Sequence, residues 1–167
     1  MTTKKLALVT GANRGIGLQF CRQLKLQGWR VLALCREKSK ELSGLEVEVQ
    51  DGIDVTDQKS VAKILRTLGK DKIDLLVNNA GVLHEESGQE LNPEHLRHQF
   101  EVNAMGPLLL TLGLVPHLAP GSKVAMITSK MGSISDNSSG GYYGYRMSKA
   151  ALNMAGMSLA RDLLVKK

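Results

Sequence analysis

An apolar run that ends in a glycine-rich turn opens the chain. Residues 6–10 read Leu-Ala-Leu-Val-Thr, residues 11–17 read Gly-Ala-Asn-Arg-Gly-Ile-Gly, and an amphipathic helical pattern follows directly. This order predicts a strand, a tight turn and a helix N-terminus, in which Gly11 permits the turn and Gly17 lets the helix pack closely on the strand. Gly15 would let a backbone amide approach an anion, because the amides at a helix N-terminus bind phosphate groups. The segment favours nucleotide binding, with a purely structural glycine turn as the alternative.

Composition narrows the function further. At 167 residues, of which 43% are hydrophobic, the chain is long enough to bury a sizeable core. It has no stretch of about 20 apolar residues, so we expect no membrane-spanning helix. The formal net charge is +6, but the basic residues are scattered and only 4% of the chain is aromatic. This pattern disfavours a nucleic-acid surface, whereas a modest basic excess suits a site for a polyphosphate cofactor.

The two cysteines give no sign of a metal site. Cys21 and Cys35 lack the spacing of metal ligands, and two free thiols are typical of a cytoplasmic protein. The apolar run after the two lysines at positions 4 and 5 is too short for a signal peptide, and glycines interrupt it. We therefore expect a cytoplasmic protein that binds no metal.

Strand-like runs alternate with helical patterns along the whole chain. The predicted strands lie near 5–10, 30–35, 46–50, 73–78 and 122–128, and the predicted helices lie near 15–27, 57–69, 92–117 and 142–165. Strands that are apolar on both faces, each followed by a helix, indicate a doubly wound parallel α/β sheet of the Rossmann type. Asp57 and Asn92 stand where the N-caps of two helices are expected. Because no repeat or linker interrupts this pattern, residues 1–167 are predicted to form a single domain.

The residues after the second predicted strand bear on the choice of cofactor. An acidic residue about 20 positions past the glycines would bind the ribose 2′-hydroxyl of NAD, but Cys35 stands there and Arg36 follows. A guanidinium can bind a 2′-phosphate through two of its oxygens, and Arg14 in the glycine turn would add a second positive charge. Both arginines favour NADP(H) over NAD(H). The alternative is that Arg36 is a solvated surface side chain beside Glu37.

Three asparagines fall in segments that the pattern places in the interior. Asn78 and Asn79 end the fourth predicted strand, where amides are costly to bury unless they join neighbouring backbones, so a structural role is favoured. Gly81 follows them and would allow a cofactor to approach closely. Asn103 lies on the apolar face of the long helix, and Pro107 has no N–H for the Asn103 carbonyl. Such a helix can bind a water molecule at that carbonyl, or it can be a kinked core helix.

The last predicted helix carries a tyrosine and a lysine four residues apart. Positions i and i+4 share a helix face, so the Tyr145 hydroxyl and the Lys149 ammonium can project together. A nearby cation favours tyrosinate and lowers the pKa of the phenol, which makes tyrosine a usable acid or base near neutral pH. Ser129 follows the fifth predicted strand, at the edge of the sheet where ligands bind in open α/β folds.

In their order along the chain, these residues resemble the short-chain dehydrogenase/reductase superfamily. The match comprises the Thr10–Gly17 turn, Asp54-Val55, Asn78–Gly81, Asn103, Ser129, and Tyr145 with Lys149. It covers essentially the whole chain. The segment 128–149 is most similar to the C-factor and sniffer-type carbonyl reductases.

The resemblance implies a role for each of these residues. Tyr145 would give a proton to the substrate oxygen while NADPH delivers hydride to the carbonyl carbon. Lys149 would bind the nicotinamide ribose and lower the pKa of Tyr145. Ser129 would hold the substrate carbonyl, and Asn103 would hold a water molecule of a proton relay. The implied cofactor-binding residues are Gly11, Asn13, Arg14, Gly15, Ile16, Gly17, Arg36, Asp54, Val55, Asn79, Ala80, Gly81, Tyr145 and Lys149.

The sequence departs from the family pattern in two places. The gap between Ser129 and Tyr145 is longer than usual, which makes Ser133 a rival for the catalytic serine. We prefer Ser129, because Lys130–Gly132 follows it as the family's glycine segment does. Family members also continue past the last helix into two more strands and a substrate-binding loop. We therefore expect this chain to lack the last strands of the family fold and much of the substrate pocket.

Two functions from different classes remain open. The first is an NADP(H)-dependent oxidoreductase that reduces a small carbonyl compound to an alcohol. The alternative is a catalytically inactive, nucleotide-binding regulatory or signalling module of the same fold. The family also pairs through its two long helices, which implies a homodimer through the helices near 92–117 and 142–165. The apolar residues of those helices are also consistent with an ordinary core face, or with association through an exposed sheet edge.

Overall fold

The computed structural model describes residues 4–88 and 91–164. The chain divides into two compact units, a sheet unit (Met1–Ala80 with Leu109–Ile127) and a helical unit (Gly81–Leu108 with Thr128–Lys167). Each unit combines segments that are distant in sequence. The organisation of residues 1–167 as a single domain stays a prediction.

A parallel sheet forms the centre of the sheet unit. Its strands are β1 (Leu6–Thr10), β2 (Arg30–Leu34), β3 (Glu48–Gln50), β4 (Ile73–Asn78) and β5 (Leu118–Met126). The strands lie in the order β3-β2-β1-β4-β5, and every neighbouring pair is parallel. The chain therefore runs outward from β1 to β3 and returns to the other side of β1 for β4. This is the predicted doubly wound arrangement, which is confirmed.

Successive residues of each strand enter two different apolar layers. The helices of the unit are α1 (Gly15–Leu26), α2 (Lys40–Ser43), α3 (Lys59–Leu68) and the greater part of α5 (Gly106–Leu114). Val9 and Ala33 pack with α1 in one layer, whereas Leu8 and Leu34 pack with α3 and α5 in the other. Both faces of the sheet are thus buried at its centre, which explains why β1 and β2 are apolar on both faces rather than alternating.

The fifth strand begins earlier than predicted. It starts at Leu118 rather than near residue 122, because Leu118 pairs with Ile73 while Lys123 pairs with Leu75. The extra residues on β5 form an irregularity around Gly121, which has a φ of +76°. Pro120 and Gly121, two residue types typical of turns, are accommodated as this irregularity within the strand.

The helical unit contains α4 (Pro93–Phe100), the first residues of α5, and α6 (Tyr143–Leu164). The single helix predicted over 92–117 is wrong, since a π-helical turn at Glu101–Met105 separates α4 from α5. The Gly106 N–H donates to the Glu101 carbonyl five residues earlier. This π-helical turn lies just before Pro107, which has no N–H and therefore interrupts the regular pattern of α-helical hydrogen bonds. The last residue of the helix predicted over 142–165 lies outside the described residues.

Capping residues fix where two helices begin. The Asn92 side chain accepts hydrogen bonds from the N–H groups of Glu94 and His95, so the cap predicted for this helix is confirmed. The other cap differs from the prediction in its position, because α3 begins at Lys59 and Asp57 lies one residue before the N-cap. Its carboxylate nevertheless accepts from the Lys59 N–H at 2.9 Å. Within the described chain, no helix has both the length and the apolar character needed to cross a membrane.

Candidate active site

The glycine turn of the sheet unit is tightly packed at its ends and open in its middle. Gly11 and Gly15 have φ values of +62° and +54°, in the left-handed region that favours glycine. A methyl group on Gly17 would lie 2.3 Å from the Gly11 carbonyl oxygen and 2.5 Å from Asn79 Nδ2. A methyl group on Gly15 would meet no atom within 4 Å. Gly17 is therefore required for packing, while Gly15 leaves open space in front of the helix.

Hydrogen bonds between Thr10 and Asn79 join the ends of β1 and β4. The Thr10 hydroxyl accepts from the N–H groups of Asn79 and Ala80, both at 3.0 Å. Asn79 Nδ2 donates to the Thr10 carbonyl at 2.9 Å and to the Gly11 carbonyl at 3.3 Å. Asn78 Nδ2 donates to the Thr111 hydroxyl at 3.0 Å. These bonds agree with the structural role that the sequence predicts for both asparagines.

The N-terminus of α1 has no capping side chain. Arg14 occupies the N-cap position without a side-chain cap bond, and the first turn contains no acidic residue. Ile16, in that turn, is 64% exposed. The turn itself is anchored from behind, because the Ser39 hydroxyl donates to the Asn13 carbonyl at 2.7 Å. A phosphate group would supply the acceptors that a cap supplies elsewhere, so this helix end fits the pyrophosphate of a dinucleotide.

The ends of β2 and β3 present one basic and one acidic side chain. Arg36 is exposed, and it has no ion pair with any of the described residues. Its carbonyl accepts from the Gly52 N–H at 3.0 Å. Asp54 Oδ1 accepts from both the N–H and the hydroxyl of Thr56, at 2.9 and 2.8 Å, and Val55 packs on the core. The Arg36 guanidinium is thus placed where it can bind an anion, and the Asp54 segment is held in a fixed turn.

Asn103 lies in the π-helical turn of the helical unit and is fully buried. Its Oδ1 accepts from the Val82 N–H and its Nδ2 donates to the Val82 carbonyl, both at 2.8 Å. Nδ2 also donates to the Ser148 hydroxyl at 3.0 Å. The side-chain amide is therefore bound by protein groups. A water molecule at Asn103 would be held by the backbone carbonyl, to which Pro107 offers no N–H.

Tyr145 and Lys149 share one face of α6. Lys149 Nζ lies 5.7 Å from the centroid of the Tyr145 ring. Lys149 is only 4% exposed, and this burial lowers the pKa of its ammonium group. The Ser148 hydroxyl donates to the Tyr145 carbonyl at 2.8 Å, so Ser148 links Tyr145 to Asn103. The buried amino group of Lys149 and the Tyr145 ring are therefore neighbours on this face of the helix.

Ser129 is the N-cap of a short 3-10 turn at Lys130–Gly132. Its hydroxyl accepts from the Met131 N–H at 3.2 Å. A methyl group on Gly132 would lie 2.9 Å from the Lys149 carbonyl carbon, so the turn packs directly on α6 at Lys149. The sequence signal for this contact is the glycine itself, because only glycine allows so close an approach.

Asn153, on the next turn of α6, holds the segment that carries Ser129. Its Oδ1 accepts from the Thr128 hydroxyl at 2.7 Å, and its Nδ2 donates to the Gly132 carbonyl at 3.4 Å. These partners flank Ser129 on both sides, and the arrangement therefore fixes the backbone of the serine to α6.

The rival serine has a different environment. The Ser133 hydroxyl lies 3.2 Å from the Ser135 hydroxyl and accepts from the Asp136 N–H at 3.3 Å. These partners belong to an exposed loop rather than to α6. The local geometry favours Ser129, and the choice between the two serines stays a prediction.

Comparison with a protein-family model identifies the family of this chain. The model of the short chain dehydrogenases matches residues 5–167. The chain belongs to this family. The resemblance to the short-chain dehydrogenase/reductase superfamily that the order of motifs indicates is thereby confirmed.

Individual relatives of this short-chain dehydrogenase agree with the assignment. A 1-hydroxy-2-glutathionyl-2-methyl-3-butene dehydrogenase from Rhodococcus sp. (strain AD45) is 39% identical over 158 residues, which are 93% of this chain and 70% of that protein. The C-signal protein of Myxococcus xanthus is 45% identical over 98 residues, which are 54% of this chain and 57% of that protein. The similarity to C-factor proteins predicted from the sequence is therefore confirmed.

Solved structures extend the comparison to carbonyl reductases. The putative carbonyl reductase Sniffer of Caenorhabditis elegans has a TM-score of 0.83 at 36% identity, covering 97% of this chain and 79% of that one. A carbonyl reductase from Pseudomonas aeruginosa PAO1 in complex with NADP has a TM-score of 0.86 at 30% identity, covering 98% of this chain and 76% of that one. NADP is thus a cofactor within this family.

The predicted site residues of this short-chain dehydrogenase fall into two groups. The sheet unit carries Gly11, Asn13, Arg14, Gly15, Ile16, Gly17, Arg36, Asp54, Val55, Asn79 and Ala80, and the helical unit carries Gly81, Asn103, Ser129, Tyr145 and Lys149. Within the helical unit, the structure joins Asn103, Tyr145 and Lys149 on or against α6. Their binding and catalytic roles stay predictions.

Several residues of the site were not predicted from the sequence. The hydroxyl groups of Thr10 and Ser148 and the amide of Asn153 each connect two segments through hydrogen bonds. A small polar residue beside a predicted site residue was the only signal available for Thr10 and Ser148. No cluster of three or more His, Cys, Asp or Glu side chains suited to a metal ion occurs in the described part of the chain.

Proposed function

We propose that this chain is an NADPH-dependent carbonyl reductase that converts a small carbonyl compound to an alcohol. The observation that carries the proposal is the buried Lys149 ammonium 5.7 Å from the Tyr145 ring. The test is to incubate the purified chain with NADPH and a panel of aldehydes and ketones, and to follow NADPH oxidation. Oxidation that depends on the carbonyl compound supports the reductase. Binding of NADPH without oxidation across the panel would favour the nucleotide-binding module instead.

The sheet unit would hold the cofactor by its phosphate groups. The N-terminal amides of α1 would bind the pyrophosphate, because this helix end has no cap of its own. Arg36 would bind the 2′-phosphate, and Asp54 and Val55 would flank the adenine. NADPH, when bound, supplies the hydride that reduces the substrate carbonyl carbon.

The helical unit would supply the proton. Tyr145 would donate the phenolic proton to the substrate oxygen, and the Lys149 ammonium would stabilise the tyrosinate that remains. Ser129 would donate a hydrogen bond to the same oxygen. Its hydroxyl oxygen already accepts from the Met131 N–H, which leaves the hydroxyl proton for the substrate. Asn103 would hold the water that returns a proton to Lys149 and Tyr145.

We expect Arg36→Ala to remove the preference for NADPH. The exposed guanidinium would contribute charge-assisted hydrogen bonds to the 2′-phosphate, and their loss weakens NADPH binding on the order of 10-fold to 100-fold. Binding of NADH, which has no 2′-phosphate, should change by less than about twofold, since no such bond is lost. Fluorescence titration with each cofactor measures both affinities.

An exposed arginine elsewhere on the sheet unit provides the control. Arg66→Ala, in the last turn of α3, removes the same charge from the protein. It should leave both affinities unchanged, because general electrostatic attraction between exposed groups is strongly screened by salt. Equal weakening of NADPH binding by the two substitutions would contradict a specific contact at Arg36.

We also propose a homodimer through the helices of the helical unit. The apolar side chains at the end of α4, in the π-helical turn and on α6 that are between 41% and 68% exposed are Phe100, Met105, Met147, Met154 and Met157. Exposed apolar side chains along two helical segments are typical of helices that pair with a second copy. Light scattering at micromolar protein should give twice the mass of one chain. A monomer mass at that concentration would contradict the dimer.

A further inference from the structure

A buried glutamate binds the N-terminus of α6. Glu86 is 7% exposed, and its carboxylate accepts from the Gly144 N–H at 2.8 Å and from Gln99 Nε2 at 2.7 Å. The Glu86 carbonyl accepts from the Tyr142 N–H at 2.9 Å. Main chain and side chain of one residue thus hold the first turn of the helix. A carboxylate at this place is stabilised by the positive end of the helix dipole.

Gln99, on α4, orients this carboxylate. It is fully buried, and both ends of its amide are occupied, because Nε2 donates to Glu86 while Oε1 accepts from the His84 N–H at 2.9 Å. A methyl group on Gly144 would lie 2.4 Å from Gln99 Nε2. The backbone of Gly144 and the side-chain amide of Gln99 are therefore in direct contact. The direction of each hydrogen bond is fixed, since a flipped amide would place its NH₂ group against the His84 N–H.

We propose that Glu86 and Gln99 are positioning residues that hold the first turn of α6, and with it the Tyr145 phenol, in the geometry needed for proton transfer. The proposal rests on the proposed role of Tyr145 as the acid. Tyr145 directly follows Gly144, so a shift of the Gly144 backbone moves the phenol. Misplacing a reacting group by about 1 Å can lower a rate by about 100-fold, even when the altered contact is not part of the chemistry.

The fixed donor and acceptor pattern permits a paired exchange. In E86Q, the new amide must turn its NH₂ group toward either the Gly144 N–H or Gln99 Nε2, which are both donors. In Q99E, two carboxylates face each other in a buried place. In the double variant E86Q/Q99E, the amide at position 86 accepts from Gly144 and donates to the carboxylate at position 99. That carboxylate also accepts from the His84 N–H, so every hydrogen bond is restored.

We expect each single substitution to lower kcat about tenfold, and the double variant to return to within about threefold of the parent. The KM for the carbonyl compound and the affinity for NADPH should change by less than about twofold in all three, since neither residue is proposed to touch either molecule. Amide hydrogen exchange at Gly144 and Tyr145 should rise in both single variants and return in the double variant. This exchange reports the hydrogen bonds without relying on activity.

The control is a substitution that destabilises the same unit at another place. Asn92→Ala removes the cap of α4, which costs about 1 kcal/mol of stability, and it should leave kcat unchanged when all variants are assayed well below their unfolding temperatures. A similar loss of kcat in Asn92→Ala would overturn the positioning role, because stability alone would then explain the effect. Unchanged kcat in E86Q and Q99E would also overturn the positioning role. A double variant whose kcat stays as low as that of either single variant would do the same.

The outcome also separates this inference from the proposed function. If the parent protein binds NADPH but reduces no carbonyl compound, the proposed reductase function is wrong. The proposed positioning role in catalysis is then wrong as well. An active parent with fully active single variants would overturn only the roles of Glu86 and Gln99.

Discussion

Tyr145→Phe is expected to lower kcat for NADPH-dependent carbonyl reduction by about 1000-fold, the range seen when a general acid is removed. The substitution deletes one oxygen and keeps the ring that Lys149 contacts. Folding and NADPH affinity should therefore be retained. Steady-state NADPH oxidation measures the rate, and circular dichroism and a fluorescence titration check the fold and the cofactor site.

A second tyrosine at the start of α6 provides the matched control. Tyr143 is 43% exposed and lies two residues before Tyr145 on the same helix. Tyr143→Phe removes an equivalent hydroxyl outside the proposed machinery, so its kcat should equal that of the parent. Turnover of Tyr145→Phe within about tenfold of the parent would refute Tyr145 as the acid.

Gly17→Ala is expected to have the largest effect on stability. The added methyl group would lie 2.3 Å from the Gly11 carbonyl oxygen, which is backbone and cannot rotate away. Either α1 or the turn must shift, at a cost of about 3 kcal/mol in the free energy of unfolding. The shift would also displace the amides proposed to bind the pyrophosphate, so NADPH binding should be lost with it. Urea unfolding monitored by circular dichroism gives the change in stability.

Gly44 provides the comparison, because it follows a helix but has open surroundings. It has a φ of −72°, and a methyl group there would lie 3.6 Å from the Glu41 carbonyl oxygen, an ordinary van der Waals distance. Gly44→Ala should therefore change the free energy of unfolding by no more than about 0.5 kcal/mol. Equal urea midpoints for Gly17→Ala and Gly44→Ala would show that the contact at Gly17 does not constrain the turn.

The sheet could be predicted because its signals are local and strong. Runs such as Leu6–Thr10 and Ile73–Asn78 are apolar on both faces, which is typical of strands covered on both sides, and glycines mark the turn into α1. Residue spacing was informative in the same way, because the four-residue separation of Tyr145 and Lys149 places both side chains on one face of a helix. The family assignment followed from these patterns.

The remaining features depend on contacts between distant segments. Nothing within residues 92–117 distinguishes a π-helical turn from a kink at Pro107, because the outcome depends on how Asn103 binds Val82 and Ser148. The pairing of Leu118 with Ile73 likewise extends β5 across Pro120 and Gly121, two residue types that are more common in turns than in strands. Glu86 has the sequence character of a surface acid, and only its contacts with Gln99 and Gly144 reveal a buried one.

The placement of the two thiols has a practical consequence. Cys21 and Cys35 lie in the apolar layer between the sheet and α1, where burial raises the pKa of Cys21 to about 12 and also raises that of Cys35. Alkylating reagents and mild oxidants attack thiolates, which these buried groups hardly form at neutral pH. A cysteine introduced on the surface would therefore react far faster than either native one. Fluorophores and spin labels can thus be attached at chosen sites while both natural cysteines remain in place.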